Sequence, residues 1–457
     1  LEEDLVVPHT TPQQSTGGSV NGAIPELGEY ETVIVATPDL AGRLVGKRLT
    51  ARHFRESGSV RTCDVVFGWG IGHELLDGFD TVGWEHGYGD IVSRPDGATI
   101  RPLAWWPGTA LLMADALRPD GTPVAVAPRA ILRGQVERAR ELGYEPLVTS
   151  ELEFTLYAET PQTLRSKGFA ALDLHHEELH PELVETTGLH EGLLAELRTA
   201  MEQSGVLVES VKAEYSPSQF EMTLEPADAL ELADRHAVYK LGVREICRRQ
   251  GVAATFMAKP ESHSGGQSCH LHVSLADDAG RNAFADGDDA LLRHFVGGLQ
   301  RYAADVFLLW APYPNSYKRF RPGSFAPASM SWGEDNRTAA LRVCGEGASR
   351  HLESRIPGAD VNPYLAHAAL LAAGLRGIAD ELDPGEGIGH ANAYAGVDLR
   401  PLPANLDEAV SSFATSRFTT ESFGADVVAH LANCARAELD ASALAVTDFD
   451  RRRLFDI

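Results

Sequence analysis

The chain has 457 residues, 44% of them hydrophobic, enough for a sizeable core and for two domains. Forty basic against 65 acidic side chains leave a formal net charge of −25, which excludes a non-specific nucleic-acid surface or an anionic membrane as partner. Any anionic substrate therefore needs a local basic pocket, and five cysteines without CxxC spacing (Cys63, Cys247, Cys269, Cys344, Cys434) fit reduced thiols in a cytoplasm, not a disulfide framework.

Residues 1–28, LEEDLVVPHTTPQQSTGGSVNGAIPELG, mix Pro, Gly, Ser, Thr and Gln without periodicity, the pattern of a flexible N-terminal arm. The start lacks an initiator Met, which points to processing or cloning, and carries no signal-peptide pattern. Residues 29–125 open with ETVIVATPDLAGRLVGKRLTARHF, short β-branched runs separated by turns, and read as a small β domain. Within it GRLVGK resembles a phosphate loop but has one residue too few between its glycines, and Arg48 stands where Ser or Thr would bind magnesium. GWGIG lacks the third glycine of a dinucleotide fingerprint, so both are expected to be turn chemistry.

Residues 126–457 read as a larger mixed unit. PRAILRGQVERARELG has helical spacing and YEPLVTSELEFTLYA is a strand; ADALELADRHAVYKLGVREICRRQ and NPYLAHAALLAAGLRGIADEL are helices around the strand QSCHLHVSL. Apolar runs are too short to span a bilayer, and no internal repeat is present. The His176–His180 stretch, HEELH, formally matches a zinc-protease signature, but Pro181 disfavours the continuing helix that would put both rings on one face.

SELEFTLY places Glu151 and Glu153 on one face of a strand whose other positions are apolar, a pair costly to desolvate unless a cation lies between them or the face is wet. VKAEYSPSQFEMTL adds Glu214 and Glu221, SRHLESRIPGAD adds Glu353, and CHLHVSL turns His270 and His272 to the same side of a strand. Singly, each is as well explained by a solvated surface. Together they form an oxygen-rich set suited to magnesium or manganese. Residues 318–355 hold Lys318, Arg319, Arg321, Arg337, Arg342, Arg350 and Arg355 among Glu334, Asp335, Glu346 and Glu353. An ion-paired surface is one explanation; the other is a nucleotide-using enzyme, because guanidinium forks beside a divalent-metal bed stabilise phosphoryl transfer. A hydrolase built on His270-x-His272, as in amidohydrolases, would carry the pair on its first barrel strand, whereas here it lies past mid-chain.

SELEF, KAEYSPSQFEM, KPESHSGGQSCHLHVSL, NSYKRFRPGSFAP, DNRTAALRV and HLESRIPGADVNPYLAHAALLAAG resemble, in order, the motif series of the glutamine synthetase superfamily. The resemblance continues weakly into the first domain and implies an α+β protein: a small N-terminal β-grasp domain plus a larger C-terminal glutamine synthetase catalytic domain. Carried over by position, it makes Glu153, Glu214 and Glu221 ligands of one metal and Glu151, His270 and Glu353 ligands of a second. Arg319, Arg355 and Gly266 would bind glutamate, His272, Ser274, Arg337 and Arg342 would bind ATP, and Arg337, Glu214 and Arg342 would be catalytic. It further implies Mg2+ or Mn2+ as cofactor, ATP as co-substrate, a γ-glutamyl phosphate intermediate and homo-oligomeric stacked rings, by resemblance a dodecamer.

The departures bear on the amine. RPGSFAP places Phe325 where the family's flap has a glutamate that helps to bind and deprotonate ammonium, and a phenyl ring cannot accept a proton although it packs against carbon. The ammonium-site aspartate of the first domain has no clear equivalent, FGWGIGHELLDGFD offering only Asp77 and Asp80, with His73 and Glu74 as other possible polar lining. Gly265 stands where an asparagine is usual, and HANAYAG is at best a remnant of the adenylylation motif. The expectation is a glutamate–amine ligase of the γ-glutamylpolyamine, γ-glutamylethanolamide or γ-glutamylanilide synthetase type, with Phe325 at a small organic amine. The alternatives are a true glutamine synthetase using ammonium and a non-catalytic relative.

Overall fold

The computed structural model describes residues 27–28, 30–177, 182–285, 289–395 and 399–457. Its first sheet contains β1 (Thr32–Pro38), β2 (Leu44–Thr50), β3 (Val60–Cys63), β4 (Asp90–Pro95), β5 (Arg101–Pro102) and β6 (Thr109–Leu117), in the order β2-β1-β6-β4-β3 with β5 on β6. β1 runs parallel to β6 and antiparallel to β2, and the short helix Ala51–Ser57 follows β2 as in a β-grasp. Alternation along these strands divides their side chains between two clusters. Val33, Val35, Leu112 and Ala114 join Phe54 and Leu27 in a small core, while Ala36, Leu111 and Met113 face the main core. Leu27, read from the sequence as part of the arm, is thus packed; residues 1–26 lie outside the described residues.

The phosphate-loop look-alike is a turn at Asp39–Gly42 leading into β2, with Asp39 Oδ1 accepting from the amides of Ala41 and Arg43. GRLVGK runs on into strand β2, so no helix begins at its Gly46–Lys47 end to receive a phosphate. Gly46 is required by strand pairing: a Cβ there would lie 1.9 Å from Val35 O.

The second sheet contains β7 (Glu145–Tyr157), β8 (Val208–Ala213), β9 (Gln219–Leu224), β10 (Ala227–Asp228), β11 (Ala253–Thr255), β12 (Cys269–Ala276), β13 (Trp332–Glu334), β14 (Leu341–Cys344) and β15 (His351–Ser354). Its order is β13-β14-β15-β12-β7-β9-β8, with β10 and β11 also on β7. One face is apolar. Leu152, Phe154, Phe220, Met222, Leu271, Val273 and Leu352 are buried in the main core, each stabilising the fold by about 1.5–3 kcal/mol relative to exposure. Helices Ala229–Arg249 and Pro363–Ala379 contribute to the same core; the second starts where Asn362 caps the amides of Tyr364 and Leu365.

Arg129, only 2% exposed, ties the first sheet to helix Ala229–Arg249 by donating to Asp96, Asp115 and Asp234, and Tyr364 Oη adds a donor to Asp234. Such a buried cation is tolerated because every nearby carboxylate is oriented towards it. Among the described residues no helix is long and apolar enough to cross a membrane.

Candidate active site

The polar face of the second sheet carries the site, and strand register assembles it. Antiparallel pairing of β7 with β12 sets Glu151 opposite His270, pairing with β9 sets Glu153 opposite Glu221, and pairing of β12 with β15 sets His272 opposite Glu353. β14 then sets Arg342 opposite Glu353. Because side chains alternate, Glu151, Glu153, Glu221, His270, His272 and Glu353 converge while their neighbours enter the core.

His270 Nδ1 donates to Glu151 Oε2 at 2.9 Å and lies 3.4 Å from Glu353 Oε1. His272 Nε2 lies 3.0 Å from Glu151 Oε1. That nitrogen is nevertheless buried without a well-aligned hydrogen bond, an orphan atom suited to a metal lone-pair contact. Ligand atoms of three triads, Glu151–His272–Glu353, Glu151–Glu221–His270 and Glu153–Glu214–Glu221, each fall within 4.8 Å of one another. The first expected set, Glu153–Glu214–Glu221, is one of these groups; of the second, Glu151 and Glu353 group with His272, while His270 groups with Glu151 and Glu221. The three-carboxylate group is a hard oxygen set of the kind that holds magnesium or manganese, and the imidazoles suit manganese as well.

The electrostatics favour a cation. Burial, and then the charge of Glu214, pushes Glu153 up to about 7. Burial together with Glu151 and Glu153 pushes Glu221 up to about 9. Burial also opposes ionisation of Glu353, but Arg355 and the two histidines outweigh it and bring this carboxyl down to about 2. Lys212 Nζ, 2.6 Å from Glu214 and 3.6 Å from Glu221, offsets only part of the repulsion. Carboxylates crowded in this way hold protons or metal.

The arginines divide by environment. Arg319 is 3% exposed and donates to Ile356 O at 2.7 Å and Arg355 O at 3.0 Å. Gly266 lies against it, so close that a Cβ would meet Arg319 Cγ at 2.4 Å. Arg355 Nη1 and Arg342 Nη1 both pair with Glu353, and Arg342 also reaches Asp335. Arg337 is exposed beside them, and Ser274 continues the His270–His272 face of β12. Phe325 stands at the rim at φ 56°, 48% exposed, its ring 6.4 Å from that of Tyr215, the residue after Glu214. Gly265 has a local explanation: a Cβ there would lie 2.9 Å from Ser216 Oγ, which accepts the Gly265 amide.

His73, Glu74, Asp77 and Asp80 are exposed on a loop held against helix Ala425–Leu444, through Asn433 donating to Asp77 O and Glu438 accepting from the Ile71 amide. Within this chain they do not join the cluster. Of the protease look-alike, His180 lies outside the described residues, and His176 Nε2 accepts from the Ser218 amide.

Sequence reasoning missed the support beneath Glu153. Gln219 Nε2 and the Ser268 amide donate to Glu153 Oε2 at 2.7 and 2.9 Å, and Ser268 Oγ donates to Oε1. The signal was available, since Gln219 is two residues from Glu221 and Ser268 two from His270, on the same faces.

The family described as "Glutamine synthetase, catalytic domain" matches residues 125–454. The chain is 43% identical over 439 residues to gamma-glutamylethanolamide synthetase GlnA4 of Streptomyces coelicolor, covering 95% of this chain and 94% of that protein. It is 33% identical over 442 residues to a glutamate–isopropylamine ligase of a Pseudomonas species, covering 94% and 96%. The solved structure of GmaS without ligand superposes with a TM-score of 0.82 at 29% identity, covering 94% of this chain and 97% of that one.

Proposed function

This chain belongs to the glutamine synthetase family, and we propose that it is an ATP-dependent ligase joining the γ-carboxylate of glutamate to a small organic amine. One observation carries the choice of amine: the cluster of five glutamates and two histidines is complete, while the rim position that would favour ammonium is the phenyl ring of Phe325.

Glu153, Glu214 and Glu221 would hold one divalent cation, Mg2+ or Mn2+, and Glu151, His270 and Glu353 another; such ions would supply positive charge for the phosphates of ATP. Arg319 and Arg355, buried and fixed by main-chain or carboxylate partners, bind the carboxylate of glutamate, and Gly266 lets its backbone approach. His272 and Ser274 line the phosphate side, and Arg337 and Arg342 stabilise the charge that develops as γ-glutamyl phosphate forms. Activation is required because a free carboxylate does not condense with an amine in water. Phe325 and Tyr215 pack against the carbon skeleton of the arriving amine and keep water from the acyl phosphate. Glu214, a catalytic carboxylate of the first metal position, is next to Tyr215 in the chain and so links that position to the amine side.

Residues 29–125 and 126–457 act as two domains, supported by the two sheets. The protein works in the cytoplasm as stacked homo-oligomeric rings, supported by five free cysteines and by Phe449, Leu454, Phe455 and Ile457 left exposed at the chain end. Phosphate release with ATP, magnesium and glutamate, comparing ammonium with alkyl, hydroxyalkyl, polyamine and aromatic amines, tests the function. Turnover with an organic amine and little with ammonium supports it. Turnover with ammonium alone, or none at all, refutes it.

A further inference from the structure

Outside the glutamate–histidine cluster, three arginines line one cavity without a direct ion pair among the described residues. The C-terminal end of helix Ala229–Arg249 borders a cavity of about 250 Å3, lined by Arg165, Arg244 and Arg248 with Leu164, Phe169 and Val252 among the apolar walls. No acidic side chain lines it. Among the described residues none of the three guanidiniums has an ion pair or hydrogen bond, Arg244 having only the ring of Phe256 at 5.9 Å.

Arg244 differs from the buried arginines among the described residues in being half-buried without a direct ion pair. Arg129 is matched by three aspartates, Arg101 by Glu231, Arg355 by Glu353, and Arg319 by two carbonyls. Arg244 instead has Arg248 one turn away on the same helix face, and burial followed by the charges of Arg248 and Arg43 holds it below the usual arginine range, although Asp39 and Glu245 oppose the shift. Like charges at this spacing cost a few tenths of a kcal/mol even when solvated. The attraction of cations to a helix C-terminus explains Arg248 and Arg249, in the last turn, but neither Arg244, one turn earlier, nor Arg165, on helix Pro161–Ser166. Phe169 completes the cavity as an aromatic side chain 68% exposed, at φ 58°.

We propose that this cavity is a second binding site, for a small dianion with an aromatic body, of the aryl phosphate monoester class. The guanidinium forks accept the phosphate oxygens and Phe169, Leu164 and Val252 cover the ring. None of the lining residues belongs to the ligase site, so the proposal stands or falls independently of the reaction. It is tested by isothermal titration of the full chain with phenyl phosphate under saturating ADP and magnesium, which occupy the nucleotide site. Wild type binds one equivalent per chain. The Arg165→Ala/Arg248→Ala double variant, changed at exposed positions that leave the fold intact, binds at least tenfold more weakly, as does Arg244→Gln. Phe169→Ala loses affinity for phenyl phosphate but not for inorganic phosphate. No heat with millimolar phenyl phosphate, or an affinity unchanged in the double variant, overturns the assignment.

Discussion

Gly266→Ala is expected to damage glutamate binding selectively. A Cβ at this position would lie 2.4 Å from Arg319 Cγ and 3.0 Å from Cδ, with Ala258 O at 3.2 Å closing the other side. Arg319 would have to retreat by about 1 Å to reach ordinary contact, and it has no slack, being 3% exposed and held by Ile356 O and Arg355 O. Overpacking of this kind costs about 1–3 kcal/mol, and each hydrogen bond from a charged donor contributes about 1.5–3 kcal/mol. A loss of about 2–4 kcal/mol, concentrated at the guanidinium, follows. At the lower end this raises the KM for glutamate about 30-fold, while the KM for ATP stays within about threefold. Steady-state kinetics with each substrate varied, beside thermal unfolding, separates a site effect from general destabilisation. Gly265→Ala is the control, since its Cβ meets Ser216 Oγ and not Arg319. A folded Gly266→Ala enzyme with unchanged glutamate KM would refute the role of Arg319.

Replacing Gln219 by Leu removes a donor from Glu153 while keeping the volume, and should weaken Mn2+ binding about 10–100-fold by titration calorimetry; unaltered affinity would mean that Ser268 alone orients the carboxylate. Phe325→Glu restores a carboxylate at the rim and should raise ammonium-dependent over alkylamine-dependent phosphate release by about tenfold or more; no change in that ratio would show that the flap does not select the amine. In metal-free protein the raised carboxyls of Glu153 (about 7) and Glu221 (about 9) hold protons that the unfolded chain releases near 4.5. The stability they contribute is full below that pH and is lost progressively as pH rises from there through their folded values, so the urea midpoint should fall between about pH 4.5 and 9 with chelator and flatten with magnesium. A metal-free midpoint that rises over this window would contradict it. Arg129→Met leaves Asp234 buried beside Tyr364 without its cation and should cost about 3–5 kcal/mol in urea unfolding; a loss below about 1 kcal/mol would mean that Asp234 is protonated.

Much of the local structure is legible in the residues. Helical spacing in PRAILRGQVERARELG and NPYLAHAALLAAGLRGIADEL corresponds to helices Pro128–Glu141 and Pro363–Ala379, and the strand Glu145–Tyr157 lies where β-branched and aromatic residues alternate with carboxylates. Less legible were Gln219 and Ser268, because neutral polar side chains on strands have many uses. The role of Arg129 is not legible in the sequence, since its partners Asp96, Asp115 and Asp234 lie on three separate segments.

The sequence by itself determines which side chains share a strand face, because alternation is a property of a few consecutive residues: Glu151 with Glu153, and His270 with His272. It also carries the ordered motifs that mark the family. What only the tertiary structure decides is which strands are neighbours and in what register, so that Glu151 meets His270 across 119 positions and Glu353 comes between Arg342 and Arg355. The same holds for the meeting of Arg165, Arg244 and Arg248 at one cavity. Pairing and register are fixed by burial of the opposite, apolar face in one common core, and slipping any strand by one residue would turn its carboxylates into that core.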